Sequence, residues 1–371
     1  MIFYIIPFLF LTILTSIESS KRFDIPINNR YFYYLIALFF IIFIGLRYEI
    51  GCDWEQYKSM FERYRPYSLI ELLERNLVQN EKQKLQEIGH ILITNFSQNI
   101  YTLNLVYSIL FTLPLFYFCS KLKRKYFSLL ISYPYYIVVI GMGPIRQAAC
   151  TSFLMLSILF VSNKKYLMHF FITSISLLIH QFSILFNGLI VISLLKQIRN
   201  IKLSKIYIFL ILLMTLIFIY CLPAITNKLL LYITLYKKSD INGTTIIAPA
   251  KSAILIWIMN LVPSIVFLKN KKKFKINSNL KSIFTSFSIV EILLLPIILF
   301  NSVIGYRLLL YIFPISIYIT SLIPELNIIN IKKEFTVNLI ISIAFLSLIT
   351  WLKFAYHSSC WVPYKNILFN L

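Results

Sequence analysis

Apolar runs broken at short intervals by charge, proline or glycine dominate this chain. Twelve can be marked, at residues 2–17, 31–45, 100–119, 126–140, 145–161, 167–179, 182–195, 206–222, 253–268, 283–300, 308–323 and 337–352. In lipid every backbone polar group must find its partner within its own segment, so such runs read as helices. The pattern predicts an all-α polytopic integral membrane protein of about twelve transmembrane helices, with residues 1–371 as one membrane domain. Several runs fall short of the ~20 residues a full crossing needs. Their ends must extend into flanking residues, or a stretch such as 167–195 forms a re-entrant pair. The first run lacks a basic leader, and Lys21 and Arg22 follow it, so it reads as a retained span; Ser16, Ser19 and Ser20 are the small residues a cleavage would use.

Two stretches escape the apolar pattern. Residues 48–99 carry eight of the fourteen acidic residues, and Leu69, Ile70, Leu72, Leu73 and Leu77 repeat at helical spacing. This predicts interfacial amphipathic helices that could cap a cavity. Residues 223–251 contain Asn242-Gly243-Thr244-Thr245, a turn signal that marks a second loop. No internal repeat is visible.

Composition agrees with a life in lipid: 59% hydrophobic, 13% charged, and a mean hydropathy of +0.78. A formal net charge of +22 would suggest nucleic acid in a soluble protein. Here the basic residues sit in gaps between apolar runs, which is a topology signal, and no nucleic-acid partner is expected. Alternate gaps (18–30, 120–125, 162–166, 196–205, 269–281 and 324–336) hold 21 of the 36 Lys and Arg residues, so these face the cytoplasm. The loops 48–99 and 223–251, and both termini, then lie outside.

The rare polar residues of the apolar runs gather on that outer side: Arg47, Glu49, Asp53, Arg146, His180 and Arg307. Arg146 and Arg307 stand alone in external turns against the charge trend. Interfacial snorkelling accounts for such residues; so does a clamp for a diphosphate, which guanidinium forks match bidentately. His180, ending an apolar run, is a candidate general base or a helix-capping residue. Asp53 is either half of an ion pair with Arg47 or a ligand for sugar hydroxyls, with Trp54 and Tyr57 offering flat faces to a pyranose ring. Glu291 is the acidic residue placed deep inside a run, a functional position by default in hydrocarbon, though a hydrogen bond to a neighbouring helix would also account for it. His90, His169 and His357 have no metal-ligand spacing, and the five cysteines form no CxxC pair. Neither a zinc site, nor a disulfide framework, nor any other metal or cofactor is expected. There is no DxD motif, no P-loop and no cytoplasmic gap large enough for a nucleotide-binding domain, so a glycosyl donor would have to arrive at the outer face already attached to lipid.

These residues resemble the EpsG family of Wzy-type exopolysaccharide and O-antigen polymerases. The likeness lies in Arg47 through Gly51 with Asp53, Trp54 and Tyr57, then Ile145-Arg146-Gln147, Ile179-His180 with Ser183, Arg307 with Tyr311, and the closing Trp361-Val362-Pro363-Tyr364. Cys52, where the family more often has a small hydroxyl residue, and the Gly143-Pro144 lead-in to Arg146 depart from it. The resemblance implies a glycosyltransferase C-like helical arrangement in the bacterial inner membrane, with the active site facing the periplasm. It implies transfer of a growing glycan from undecaprenyl diphosphate to a sugar hydroxyl of a lipid-linked repeat unit. A flippase and a chain-length regulator are the protein partners of such a role. On this reading Arg146 and Arg307 clamp the diphosphate with Arg47 in support, His180 is the base, and Asp53 is an acceptor-sugar ligand or alternative base. Trp54, Tyr57, Gln147 and Tyr311 line the sugar site. The competing readings are a flippase for the same lipid-linked oligosaccharide, for which charge would line the whole path, and a membrane O-acyltransferase, for which His180 lies on the wrong side. An O-antigen ligase shares the chemistry but differs in acceptor.

Overall fold

The computed structural model describes residues 1–19, 29–72, 87–198, 250–326 and 332–369, with scattered positions between 212 and 234. Its helices are α1 (Ile2–Ser19), α2 (Arg30–Gly45), α3 (Trp54–Tyr64), α4 (Ile88–Phe96), α5 (Ile100–Ser120) and α6 (Lys125–Ser132), the last continuing into a π-helix at Tyr133–Ile140. After these come α7 (Ile145–Ser162), α8 (Tyr166–Ile179), α9 (Ser183–Ile198), α10 (Ala250–Asn270), α11 (Ser278–Leu293), α12 (Leu295–Phe300), α13 (Ser302–Leu309), α14 (Phe313–Leu322) and α15 (Lys333–Phe354). The chain, read above as one domain, forms two compact units: Met1–Phe153 with Thr320–Leu371, and Leu154–Ile319.

The polytopic helical class is as expected; the count of about twelve is not. Among the described residues six helices are long and apolar enough to cross a membrane: Ile2–Ser19, Ile100–Ser120, Ile145–Ser162, Ala253–Asn270, Ser278–Phe300 and Lys333–Phe354. A seventh arises if Ser302–Leu309 and Phe313–Glu325, bent by 52° at their junction, make one broken span. The runs at 31–45, 126–140, 167–179 and 182–195 become helices of only 10–17 residues. At 1.5 Å per residue a 14-residue helix reaches about 21 Å, short of the ~30 Å hydrocarbon layer. The run at 206–222 and the loop at 223–251 fall largely outside the described residues, as do Leu73 and Leu77.

In the first unit α2 lies along α5. Gly45 permits the approach: a Cβ there would meet Ser108 Oγ at 2.6 Å and the Leu105 Cα at 2.9 Å. The start of α5 is fixed by a capping box between Asn99 and Thr102, which satisfies two orphan amides reciprocally. The Tyr33 hydroxyl donates to the Phe116 carbonyl at 2.8 Å, so this deep tyrosine keeps a partner away from water. Large apolar side chains face outward along α1 (Ile2, Ile6, Leu9, Ile13) and α15 (Leu339, Ile343, Leu346). A surface of that kind suits lipid.

In the second unit α10 and α11 pack together, and α11 packs on α9. Asn277 caps α11 by accepting from the Leu280 amide at 2.8 Å, while its own amide donates to the Ser162 carbonyl at 2.9 Å. A polar knot joins α7, α8 and α9. Asn187 Oδ1 accepts from Thr173 at 3.1 Å and Ser157 at 3.2 Å, and Ser157 also meets His169 Nδ1. Such knots act as interhelical glue where lipid offers no competing partner.

Candidate active site

Residues 47–53 form a tight turn because two positions adopt left-handed backbone. Glu49 has φ 51° and Gly51 φ 95°. Only glycine fits position 51, since a Cβ would come within 2.1 Å of the Met142 carbonyl oxygen. The turn is latched to the closing segment of the chain. Tyr48 N–H donates to the Lys365 carbonyl at 3.0 Å, Gly51 N–H to the Cys360 carbonyl at 2.8 Å, and Ile367 N–H to the Leu46 carbonyl at 3.0 Å. Trp361 Nε1 donates to the Val138 carbonyl at 2.9 Å, and the Tyr364 hydroxyl to the Phe43 carbonyl at 2.8 Å.

A disulfide between Cys52 and Cys360, 308 residues apart in sequence, closes the latch. This overturns the expectation that the cysteines make no disulfide. No CxxC spacing announces a pair that only the fold brings together. His357 comes within 4.8 Å of both sulfurs, but a disulfide has no thiolate to offer a metal. Burial holds the His357 imidazole below its ordinary value, against the opposing charge of Asp53.

Arg47 is buried under this turn. Its Nη1 donates to the Ile44 carbonyl at 2.7 Å, Nε to the Ile50 carbonyl at 3.1 Å and Nη2 to Asn104 Oδ1 at 3.2 Å, and Trp54 lies 5.8 Å from the guanidinium carbon. Burial pulls its pKa down to about 10, offset by nearby tyrosines, Tyr57 first, so it stays charged at neutral pH. Asp53 stands at the N-cap of α3, where no side-chain cap bond forms. Trp54, Tyr57, Met60 and Phe61 make the buried face of α3, with Glu55, Lys58, Glu62 and Arg63 exposed on the other. Trp54 also packs near Tyr48 and Tyr101.

Arg146, in the first turn of α7, is set differently. Its Nη1 donates to Glu87 Oε2 at 2.8 Å, with the Arg146 side chain 16% exposed and that of Glu87 1%. The Tyr57 ring lies 5.6 Å from the guanidinium carbon. Beside it, one helical turn after Glu87, His90 stands 6.2 Å from the Tyr57 ring and places Nδ1 2.8 Å from the Tyr107 hydroxyl. Gln147 is buried in the same turn of α7. Glu87 and His90 are the residues that sequence reasoning passed over. Glu87 is one acid among eight in its loop, and His90 stands in no metal-ligand spacing that would single it out.

Within the second unit the fold joins His180 to Tyr311. His180 ends α8 in extended backbone. Its Nδ1 accepts from the Phe182 amide at 3.3 Å and lies 3.4 Å from the Tyr311 hydroxyl. The amide donation leaves Nδ1 as the acceptor nitrogen and assigns the ring proton to Nε2. Tyr311 sits in the break between α13 and α14, its ring stacked on Phe186 at 4.8 Å. Arg307, half-buried, lies in the last turn of α13. Glu291 is buried on α11.

No curated protein and no solved structure matches this chain. The EpsG family matches it over residues 30–366, a span that includes the latch, Arg146 with Glu87, and His180 with Tyr311. The chain belongs to the EpsG family, a family of Wzy-type polymerases.

Proposed function

We propose that this protein polymerises lipid-linked oligosaccharide repeat units into O-antigen or exopolysaccharide at the periplasmic face of the bacterial inner membrane. The observation that carries the reading is Arg146, a cation at the head of an apolar helix whose partner is a carboxylate. A carboxylate and a phosphate engage a guanidinium in the same way, so Glu87 holds the fork in a geometry that a diphosphate can take over. The latch supports the outer placement, because disulfides persist in oxidising compartments.

Both substrates carry an undecaprenyl diphosphate. Arg146 is assigned to a lipid diphosphate in the first unit, and Arg307 to the same class of charge in the second. Arg47 supports the turn that carries Asp53, whose carboxylate is assigned to acceptor-sugar hydroxyls, with Trp54, Tyr57 and Gln147 near it in sequence or fold. In the transfer the acceptor hydroxyl oxygen bonds to the donor anomeric carbon, and the anomeric carbon–oxygen bond to diphosphate breaks, its electron pair leaving on the diphosphate. The hydroxyl proton is assigned to the His180 imidazole, with the Tyr311 hydroxyl, 3.4 Å from Nδ1, passing it on; in taking it Nδ1 gives up the bond it accepts from the Phe182 amide. Arginine neutralises charge as it gathers on the leaving group.

The test uses purified protein with an undecaprenyl-diphosphate-linked repeat unit from its own host. A ladder of lengthening glycans on lipid diphosphate, formed without nucleotide or metal, is expected. His180→Gln and Tyr311→Phe should suppress it together. Substrate that stays at one repeat while changing leaflet would replace this reading with a flippase.

A further inference from the structure

The second unit holds a buried carboxyl group that the glycan-transfer reading does not use. Glu291 on α11 has no solvent exposure, and among the described residues neither of its carboxylate oxygens has a hydrogen-bond partner. Its backbone carbonyl accepts from Trp257 Nε1 at 2.7 Å. That bond sets the register of α10 against α11, which run antiparallel across the turn at 271–277. Three residues toward the turn stand Asn260 on α10 and Ser288 on α11, and Ser264 follows Asn260 at helical spacing. All three are buried, and Asn260 Oδ1, Ser264 Oγ and Ser288 Oγ are likewise without partners. Asn260 Nδ2 donates to the Ile256 carbonyl at 3.1 Å, so its remaining capacity is that of an acceptor.

The seam therefore concentrates lone pairs. Against five unpartnered oxygens it offers two hydroxyl protons. An ionised carboxylate left so in hydrocarbon is costly, so whatever completes the seam brings positive charge. A divalent ion would overshoot the single carboxylate, and an all-oxygen donor set suits a hard cation.

We infer that the α10–α11 seam binds one small monovalent cation, a proton carried on Glu291 or a sodium ion held by the carboxylate with Asn260, Ser264 and Ser288. The site is independent of glycan transfer and stands or falls without it.

The test takes the full-length protein in detergent at neutral pH. Its thermal midpoint is followed as sodium chloride replaces choline chloride at constant ionic strength, and its infrared spectrum is compared with that of Glu291→Gln. A midpoint that climbs with sodium, unresponsive in Glu291→Gln and weakened several-fold in the conservatively altered Ser288→Ala, establishes sodium. No sodium response, with a carboxylic-acid carbonyl band that Glu291→Gln removes and Asn260→Leu shifts, establishes the proton. An ionised Glu291 with no sodium response overturns the inference.

Discussion

Arg47 and Arg146 belong to the same unit, and both are removed from bulk water, yet they are partnered in opposite ways. Arg47 donates to two backbone carbonyls and one amide oxygen, neutral acceptors that belong to the turn it holds and that no ligand can replace without undoing that turn. Arg146 donates to a carboxylate, an acceptor with the charge and geometry of a phosphate. The contrast separates a cation that builds the site from one available to a substrate, although sequence position and charge type give both the same appearance.

The sharpest way to break this contrast is to truncate each arginine. Arg146→Ala alone takes the guanidinium away from the buried Glu87 carboxylate and should lower the thermal midpoint, so it is paired with Glu87→Gln. The double variant should stay nearer wild type in stability while polymer formation falls by about 10²–10³-fold, the usual loss when one preorganised donor to developing charge is removed. Arg47→Ala should lose polymer because the protein fails to accumulate in folded form, since each orphaned buried acceptor costs about 1–3 kcal/mol. Full polymer from Arg146→Ala at wild-type expression would end its assignment to the diphosphate.

The latch around Arg47 can be opened from its other end. Replacing Cys52 and Cys360 together by serine should destabilise the first unit by about 2–5 kcal/mol, read as a lower thermal midpoint that added reductant reproduces in the wild type. Any activity that survives at low temperature would then show the disulfide to be a brace rather than a reactant.

Much of this helical frame was legible in the chain, for a physical reason: apolar run length reports on lipid, and it acts locally. The runs at 2–17, 100–119, 145–161, 253–268, 283–300 and 337–352 became long apolar helices. The run at 167–179 looked alike in composition but formed a helix too short to cross, because composition does not say where a neighbouring turn such as that at His180 will cut a run. The motif around Arg47 and the closing Trp361–Tyr364 segment were each visible, yet their mutual hydrogen bonding and the Cys52–Cys360 bond join positions 308 apart, which no spacing rule connects. Glu87 was hidden in another way. In a loop rich in acids, nothing local marks the one whose carboxylate the fold turns inward to Arg146.

That inward carboxylate allows the contrast to be sharpened. If Glu87 occupies the place a diphosphate takes, Glu87→Gln removes the competitor and should lower KM for the lipid-linked donor. About tenfold is expected for a competition worth ~1.4 kcal/mol, with kcat changed less. The measurement is initial rate against donor concentration. A raised KM would mean that Glu87 orients Arg146 without competing for it.

The smallest effect tests how the latch divides its strength. A hydrogen bond from Tyr48, and then the Lys365 ammonium, hold the exposed Glu49 carboxyl below its ordinary value of 4.5. A folded value below the unfolded one means the pair's contribution is complete above pH 4.5 and is lost as pH falls through the lower folded value. Solvent screens the Glu49–Lys365 pair, whose side chains are 41% and 37% exposed. Glu49→Gln should therefore lower the thermal midpoint only slightly at neutral pH, with the gap from wild type closing in acid. A gap that persists unchanged well below pH 4.5 would trace the loss to the left-handed backbone at position 49, where φ is 51°, and not to the ion pair. Closure in acid would leave the disulfide and the backbone bonds as what holds the turn over Arg47.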